Sequence, residues 1–126
     1  MAEFKSVAPV FAVADISKTI RWYEEQLGFT GGAFPDEKPY VFGIMNRDNI
    51  EIMLQRVEGY QKPYLYNARD GGVWDAYFTV EGVKQLFESV REAVTIVKPL
   101  CKQPYGNWEF EVKDINGYIL VFSEPE

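Results

Sequence analysis

Two carboxylates stand out by their neighbours: Glu51 in NIEIMLQ and Asp75 in VWDAYF. Each sits in an otherwise apolar run, where strand alternation gives it a face of its own. A carboxylate placed there grips a cationic group, acts as acid or base, or only bonds to solvent or a nearby tyrosine. A third candidate is PYGNWEF, in which Trp108 opens a strand beside Glu109, three positions after Tyr105. An indole next to a carboxylate suits stacking and the attraction of a cation. The 126 residues include no histidine, which removes the commonest general acid–base and the commonest transition-metal ligand. That also excludes Ser-His-Asp and Cys-His sites, so the one cysteine, Cys101, reads as a small core residue.

Aromatic residues make up 16% of the chain, and many lie outside helices, in FPDEKPYVF, GYQKPYLY and PYGNW. Phe34, Tyr40, Phe42, Tyr60, Tyr64 and Tyr66 either line a slot for a planar ligand or staple long loops to a sheet. Trp74 and Tyr77 flank Asp75 and join the same candidate set, whereas Trp22, mid-helix beside Tyr23, suits packing or a subunit contact. The net charge of −6 leaves no basic stripe for phosphates, so nucleic acid is not an expected partner. Acidity favours a neutral or cationic ligand. No apolar run reaches membrane-spanning length, and a single cysteine points to a reducing cytoplasm.

The elements that would carry these residues recur. VFAVADISKTIRWYEEQLGF is answered by AYFTVEGVKQLFESVREAV: Phe11 and Val13 correspond to Phe78 and Val80, an offset of 78 − 11 = 67. At that offset Ile16, Ile20, Tyr23 and Leu27 correspond to Val83, Phe87, Val90 and Val94, a stripe along one side of a helix. Asp15 reads as the N-cap of the first helix and Gly28 as its C-terminal stop. A short strand precedes each helix, Val7–Val13 and Val73–Val80. Three extended runs follow each: Phe29–Phe34, Tyr40–Asn46 and Ile50–Arg56, then Thr95–Leu100, Asn107–Lys113 and Tyr118–Ser123. The reading is α+β: two βαβββ modules, residues 1–56 and 73–126, joined by a connector over 57–72.

Alternation sorts the faces. Ile50, Ile52 and Leu54 should meet the helix, leaving Asn49, Glu51, Met53 and Gln55 opposite. An offset of 120 − 50 = 70 places Ile119, Val121 and Ser123 on the corresponding mixed face, and Asp75, Tyr77 and Thr79 beside them. Trp108 groups with Phe110 and Val112, against Glu109, Glu111 and Lys113. Which group faces a ligand depends on whether DING turns as two residues or three.

The chain resembles the vicinal oxygen chelate superfamily of glyoxalase I, extradiol dioxygenases, and fosfomycin and bleomycin resistance proteins. VFAVADISKTIRWYEEQLGF is similar to that family's first strand and helix, and QPYGNWEFEVKDINGYILVFSE resembles its bleomycin-resistance branch. The resemblance implies two modules curved into an eight-stranded cup with a ligand inside. It also implies a homodimer, sometimes with the first strand exchanged, which would cover bare sheet edges. Metal-dependent members place four ligands at positions that fall here on Ala8, Glu51, Asp75 and Val121. Alanine and valine offer no donor, and a catalytic site needs about three protein ligands. The expectation is therefore a small-molecule binder without metal or other cofactor, sequestering a planar or cationic antibiotic-like guest. The alternative is a divergent metal-dependent lyase, isomerase or dioxygenase that completes a site around Glu51 and Asp75 with water or substrate oxygens.

Overall fold

A computed structural model describes residues 1–126. It divides into two compact units, Met1–Gln61 and Lys62–Glu126. The first contains β1 (Val10–Val13), α1 (Ile16–Leu27), β2 (Thr30–Phe34), β3 (Phe42–Arg47) and β4 (Ile50–Arg56). The second contains a 3-10 turn (Tyr66–Ala68), β5 (Ala76–Thr79), α2 (Val83–Val90), β6 (Thr95–Lys102), β7 (Trp108–Lys113) and β8 (Ile119–Glu124). Each unit is one four-stranded sheet, ordered β1-β4-β3-β2 and β5-β8-β7-β6, with the helix-first strand parallel to the last. The fold is thus two βαβββ modules.

In α1 the Asp15 carboxylate accepts from the Lys18 amide at 2.9 Å, satisfying one of the amides that a helix start leaves bare. Gly28 ends the helix in the left-handed region at φ 67°, and Arg47 Nη1 donates to the Leu27 carbonyl at 2.8 Å. Ile16, Ile20, Tyr23 and Leu27 are all buried, as their spacing requires. The helix lies so close to the sheet that a side chain at either of two strand glycines would crowd it. A Cβ on Gly31 would stand 2.7 Å from Ile20 Cγ2, and one on Gly43 3.2 Å from Ile16 Cγ2.

In the second unit α2 is capped from a distance: Glu124 Oε1 accepts from the amides of Gly82 and Val83 at 3.1 and 3.0 Å. Under the helix runs a ladder of rings. Phe87 meets Phe110 at 5.1 Å, Phe110 meets Phe122 at 5.1 Å, and Phe122 meets Phe78 at 5.0 Å. The helix is shorter than its apolar stripe. It stops at Val90, and Val94 belongs to a turn that closes on the Val90 carbonyl at 3.1 Å before β6 begins at Thr95.

Two further expectations need correction. The first strands begin later, at Val10 and Ala76, with Pro9 and Asp75 each keeping a single backbone bond to the last strand; Ala8 and Asp75 precede their strands. The last strands correspond at an offset of 68, not 70: Phe11 pairs with Leu54 and Phe78 with Phe122, and 122 − 54 = 68. A slip of two residues keeps every side chain on its face, so the sorting into faces survives.

Candidate functional site

The DING hairpin settles the face of Trp108. Asp114 and Tyr118 close the loop by an amide-to-carbonyl bond of 2.8 Å, leaving three loop residues that end on Gly117 at φ 94°. The Asp114 carboxylate accepts from the amides of Asn116 and Tyr118 at 2.8 and 2.9 Å, which fixes that turn. Lys113 then pairs with Ile119, and Phe110 with Phe122. Trp108 shares the side of Phe110, toward α2, where Lys84 Nζ lies 4.4 Å from its ring centroid. Its indole N–H donates to Glu126 Oε2 at 2.9 Å. The ion pair with Lys102 at 3.0 Å, and then this bond, hold the Glu126 carboxyl below its usual range.

The opposite side of β7 carries Glu109 and Glu111, each only 2% exposed. Glu109 collects three hydroxyl donors. Tyr105 donates to Oε1 at 2.5 Å, and Ser123 to Oε2 at 2.8 Å. Tyr77, from β5, donates to the same Oε2. Behind them Asn107 Nδ2 donates to Ser123 Oγ at 3.0 Å and to the Tyr77 oxygen at 3.3 Å. Glu111 receives the Tyr66 hydroxyl at 2.5 Å. Neither carboxylate has an ion pair. Two residues apart on one strand, they lie about 7 Å from each other along the backbone.

Aromatic rings surround this acidic pair. Tyr64 stacks on Tyr66 at 6.2 Å, and Trp74 leans on Tyr77 at 5.6 Å. Lys113 Nζ sits 5.2 Å from the Tyr64 ring. Loss of water around the hydroxyl, and then the bond to Glu111, push the Tyr66 phenol well above its usual range. Tyr105 is raised by the same causes, with Glu109 as acceptor. Because 59% of Tyr105 is exposed, the bond to Glu109 is the cause that solvent leaves most intact. The face can offer a guest negative charge from two carboxylates and flat contact from several rings.

Of the candidates read from sequence, Tyr77, Tyr105 and Glu109 are joined by hydrogen bonds, Trp74 abuts Tyr77, and Tyr64 abuts Tyr66. Trp108 is not among them. It groups with Phe110 on the α2 side of the sheet, opposite Glu109 and Glu111, as alternation sorts it. Asp75 serves the chain itself: its Oδ2 accepts from the Ile119 amide at 2.8 Å and pairs with Lys62 at 3.3 Å. In the first unit, Phe34 and Phe42 meet at 6.2 Å, Glu51 is half-buried on β4, and Tyr40 lines a depression beside Lys18, Arg21, Lys38 and Arg56. Glu111, Ser123 and Asn107 were not singled out from sequence as site residues. The signal for Glu111 was present in WEFEV, where two glutamates alternate with apolar residues on a strand that should be buried.

A model of the glyoxalase/bleomycin resistance protein/dioxygenase superfamily matches residues 5–122. The chain belongs to that superfamily. Among solved structures, a glyoxalase-related enzyme from Clostridium phytofermentans superposes with a TM-score of 0.78 at 21% identity, over 99% of this chain and 98% of its own. TioX from Micromonospora sp. ML1 gives 0.72 at 20% identity, with 97% of each chain covered. The bleomycin-binding protein of Streptomyces verticillus, solved with copper(II)-bleomycin, gives 0.71 at 23% identity over the full length of both chains. At these identities the likeness is one of fold. No functionally curated protein sequence matches the chain.

Metal chemistry occurs in the superfamily, and the residues here do not fit it. Ala8 has no donor atom, and neither has Val121 or Ile119, the residue that the offset of 68 matches to Glu51; Val121 and Ile119 are both buried. Asp75 is held by Lys62 and a backbone amide. No three residues among Cys, Asp and Glu come together as a metal cage. No step through a metal is derived for this chain.

Proposed function

We propose that the chain binds a small, planar, cationic molecule and holds it without turnover, on the tyrosine-rimmed face of β7 and β8. One observation carries the reading: Glu109 and Glu111 are both 2% exposed and neither forms an ion pair, with Lys98 opposite Glu111 on β6 and Lys113 next along the same face as the cations nearest in register. Burying one carboxylate already costs free energy that its hydrogen bonds must offset. Placing two on one face adds repulsion that a cationic guest relieves. Stacking on Tyr66, Tyr77 or Trp74 would contribute about 0.5–1.5 kcal/mol per ring beyond area burial. The bleomycin-binding protein, whose fold this chain shares, is known with a bound antibiotic, which supports a sequestering role. The guest is proposed to be antibiotic-like, and the setting a reducing cytoplasm.

The working form is proposed to be a homodimer. Residues 1–7 form an exposed arm, with Phe4 99% and Val7 94% exposed, before Pro9 joins β4 through its carbonyl. The outer edge of β1 is open beside it. A second copy would cover both, which is how bare sheet edges are commonly protected.

The reading is tested by titrating the protein with proflavine, a planar cation, followed by chromatographic recovery of the dye. Saturable binding with the dye returned unchanged supports a binder. Chemical conversion of the dye, or no binding at about 100 μM, counts against it.

A further inference from the structure

A depression lies wholly within the first unit, and the charge of its lining is opposite to that of the chain. A depression of about 670 Å³ opens between the start of α1, the loop joining β2 to β3, and the end of β4. Ten residues line it, and four of them are cations: Lys18, Arg21, Lys38 and Arg56. With 13 basic residues in 126, ten positions would hold about one by chance. One acid, Asp15, is present, so the local balance is 4 − 1 = +3 in a chain whose net charge is −6.

None of the four cations is paired. The ion pairs of the chain engage Lys5, Arg47, Lys62, Arg91 and Lys102 instead. Asp15 is turned to its own helix, accepting from the Lys18 amide at 2.9 Å. Lys18 and Arg21 stand three residues apart on α1 and so project from neighbouring parts of one surface. Arg56 is anchored at the end of β4 by its amide, which donates to the Val41 carbonyl at 2.9 Å. That bond ties it to the strand-side end of the loop bearing Lys38 and Tyr40. Like charges gathered in this way repel one another, and an anion bound among them removes the repulsion.

We infer that this depression is a binding site for a small phosphate-bearing molecule with at least two negative charges. Two guanidinium groups offer planar forks that match phosphate oxygens, and two lysines add mobile point charges. Tyr40, half-buried at the wall, offers a ring to any flat part of the same ligand. The site is separate from the carboxylates of β7 and does not depend on their role.

Pyrophosphate is the probe, titrated calorimetrically into the full chain at low ionic strength, with chloride at matched ionic strength as the blank. Binding of one pyrophosphate per chain is expected, with Kd below about 1 mM and weakening as salt rises. Arg21→Gln with Arg56→Gln should weaken it at least about tenfold, and Lys38→Gln, in a loop outside any element, about threefold. Lys5→Gln, in the exposed arm, should leave it unchanged. Thermal melts establish that each variant is folded, and the Lys38 variant alone decides the matter if the double variant is not. Absence of saturable binding, or affinity untouched by Lys38→Gln and the double substitution, overturns the site.

Discussion

Replacing Glu109 separates the two duties assigned to it. In Glu109→Ala three hydroxyl groups lose their acceptor together. Ser123 is fully buried and has only Asn107 and Tyr77 left to it, whereas Tyr105 is 59% exposed and can turn to water. An unsatisfied buried polar group costs about 1–3 kcal/mol, and an exposed one much less, so the alanine variant should lose about 2–4 kcal/mol. Glu109→Gln keeps the shape and one acceptor oxygen. That oxygen should face Ser123 and Tyr77, the pair sharing Oε2, and leave the amide nitrogen toward Tyr105. The Tyr105 oxygen can accept from that nitrogen while its proton turns to solvent, and repulsion between Glu109 and Glu111 disappears. A loss of about 0.5–1.5 kcal/mol follows. At about 3–5 °C per kcal/mol for a chain of this size, the melting temperature should fall by about 2–7 °C for glutamine and about 6–20 °C for alanine. Urea unfolding with both variants reads the same difference as a midpoint shift at constant slope. Equal losses for Gln and Ala would refute the hydrogen-bond account, and a gain above about 1 kcal/mol in either would show that repulsion outweighs the bonds.

Trp108→Ala should leave affinity for a planar cation within about twofold, because the indole lies on the α2 side of the sheet; a loss of tenfold or more would return it to the site. Alkaline absorbance titration should find Tyr66 and Tyr105 among the last of the eight tyrosines to ionise. Their folded-state values are raised, so the stability they contribute is complete below about pH 10 and fades as pH climbs beyond it. Tyr105→Phe should leave the tyrosinate signal below pH 11 unchanged, and a lost increment there would contradict the bond to Glu109. Light scattering should give 2 × 14.5 = 29.0 kDa for the full chain and a smaller mass once residues 1–9 are removed; a single-chain mass at micromolar concentration would count against the dimer.

Much of the architecture was legible because it rests on local chemistry. Asp15, Gly28 and the stripe from Ile16 to Leu27 mark α1 at both ends and along one side, and β4 runs over Ile50–Arg56 as its alternation indicates. What periodicity could not supply is anything invariant under a two-residue slip. The offset of 68 between the last strands preserves every face and changes only which residues stand opposite. The Asp75 carboxylate accepts from the Ile119 amide, a contact across 44 residues that the repeat does not encode. Strand starts were equally hidden, since residues 7–9 look extended in sequence and only pairing makes a strand. The face of Trp108 stayed open for want of the hairpin register, which a backbone amide of Tyr118 bonded to Asp114 fixes. The contact between Tyr66 and Glu111 spans 45 residues, and no local pattern encodes it.

The central claim is that buried negative charge on β7 selects the guest. It is tested most directly by measuring, in one buffer, the affinities of proflavine and of acridone, a neutral molecule of similar shape, for the wild-type chain and for Glu109→Gln/Glu111→Gln. The account predicts that the wild type favours the cation by at least about tenfold, which is 1.4 kcal/mol, and that the double variant, still folded by its melt, loses that preference. Equal affinity of the wild type for the two dyes, or a preference that survives in the folded double variant, would contradict it.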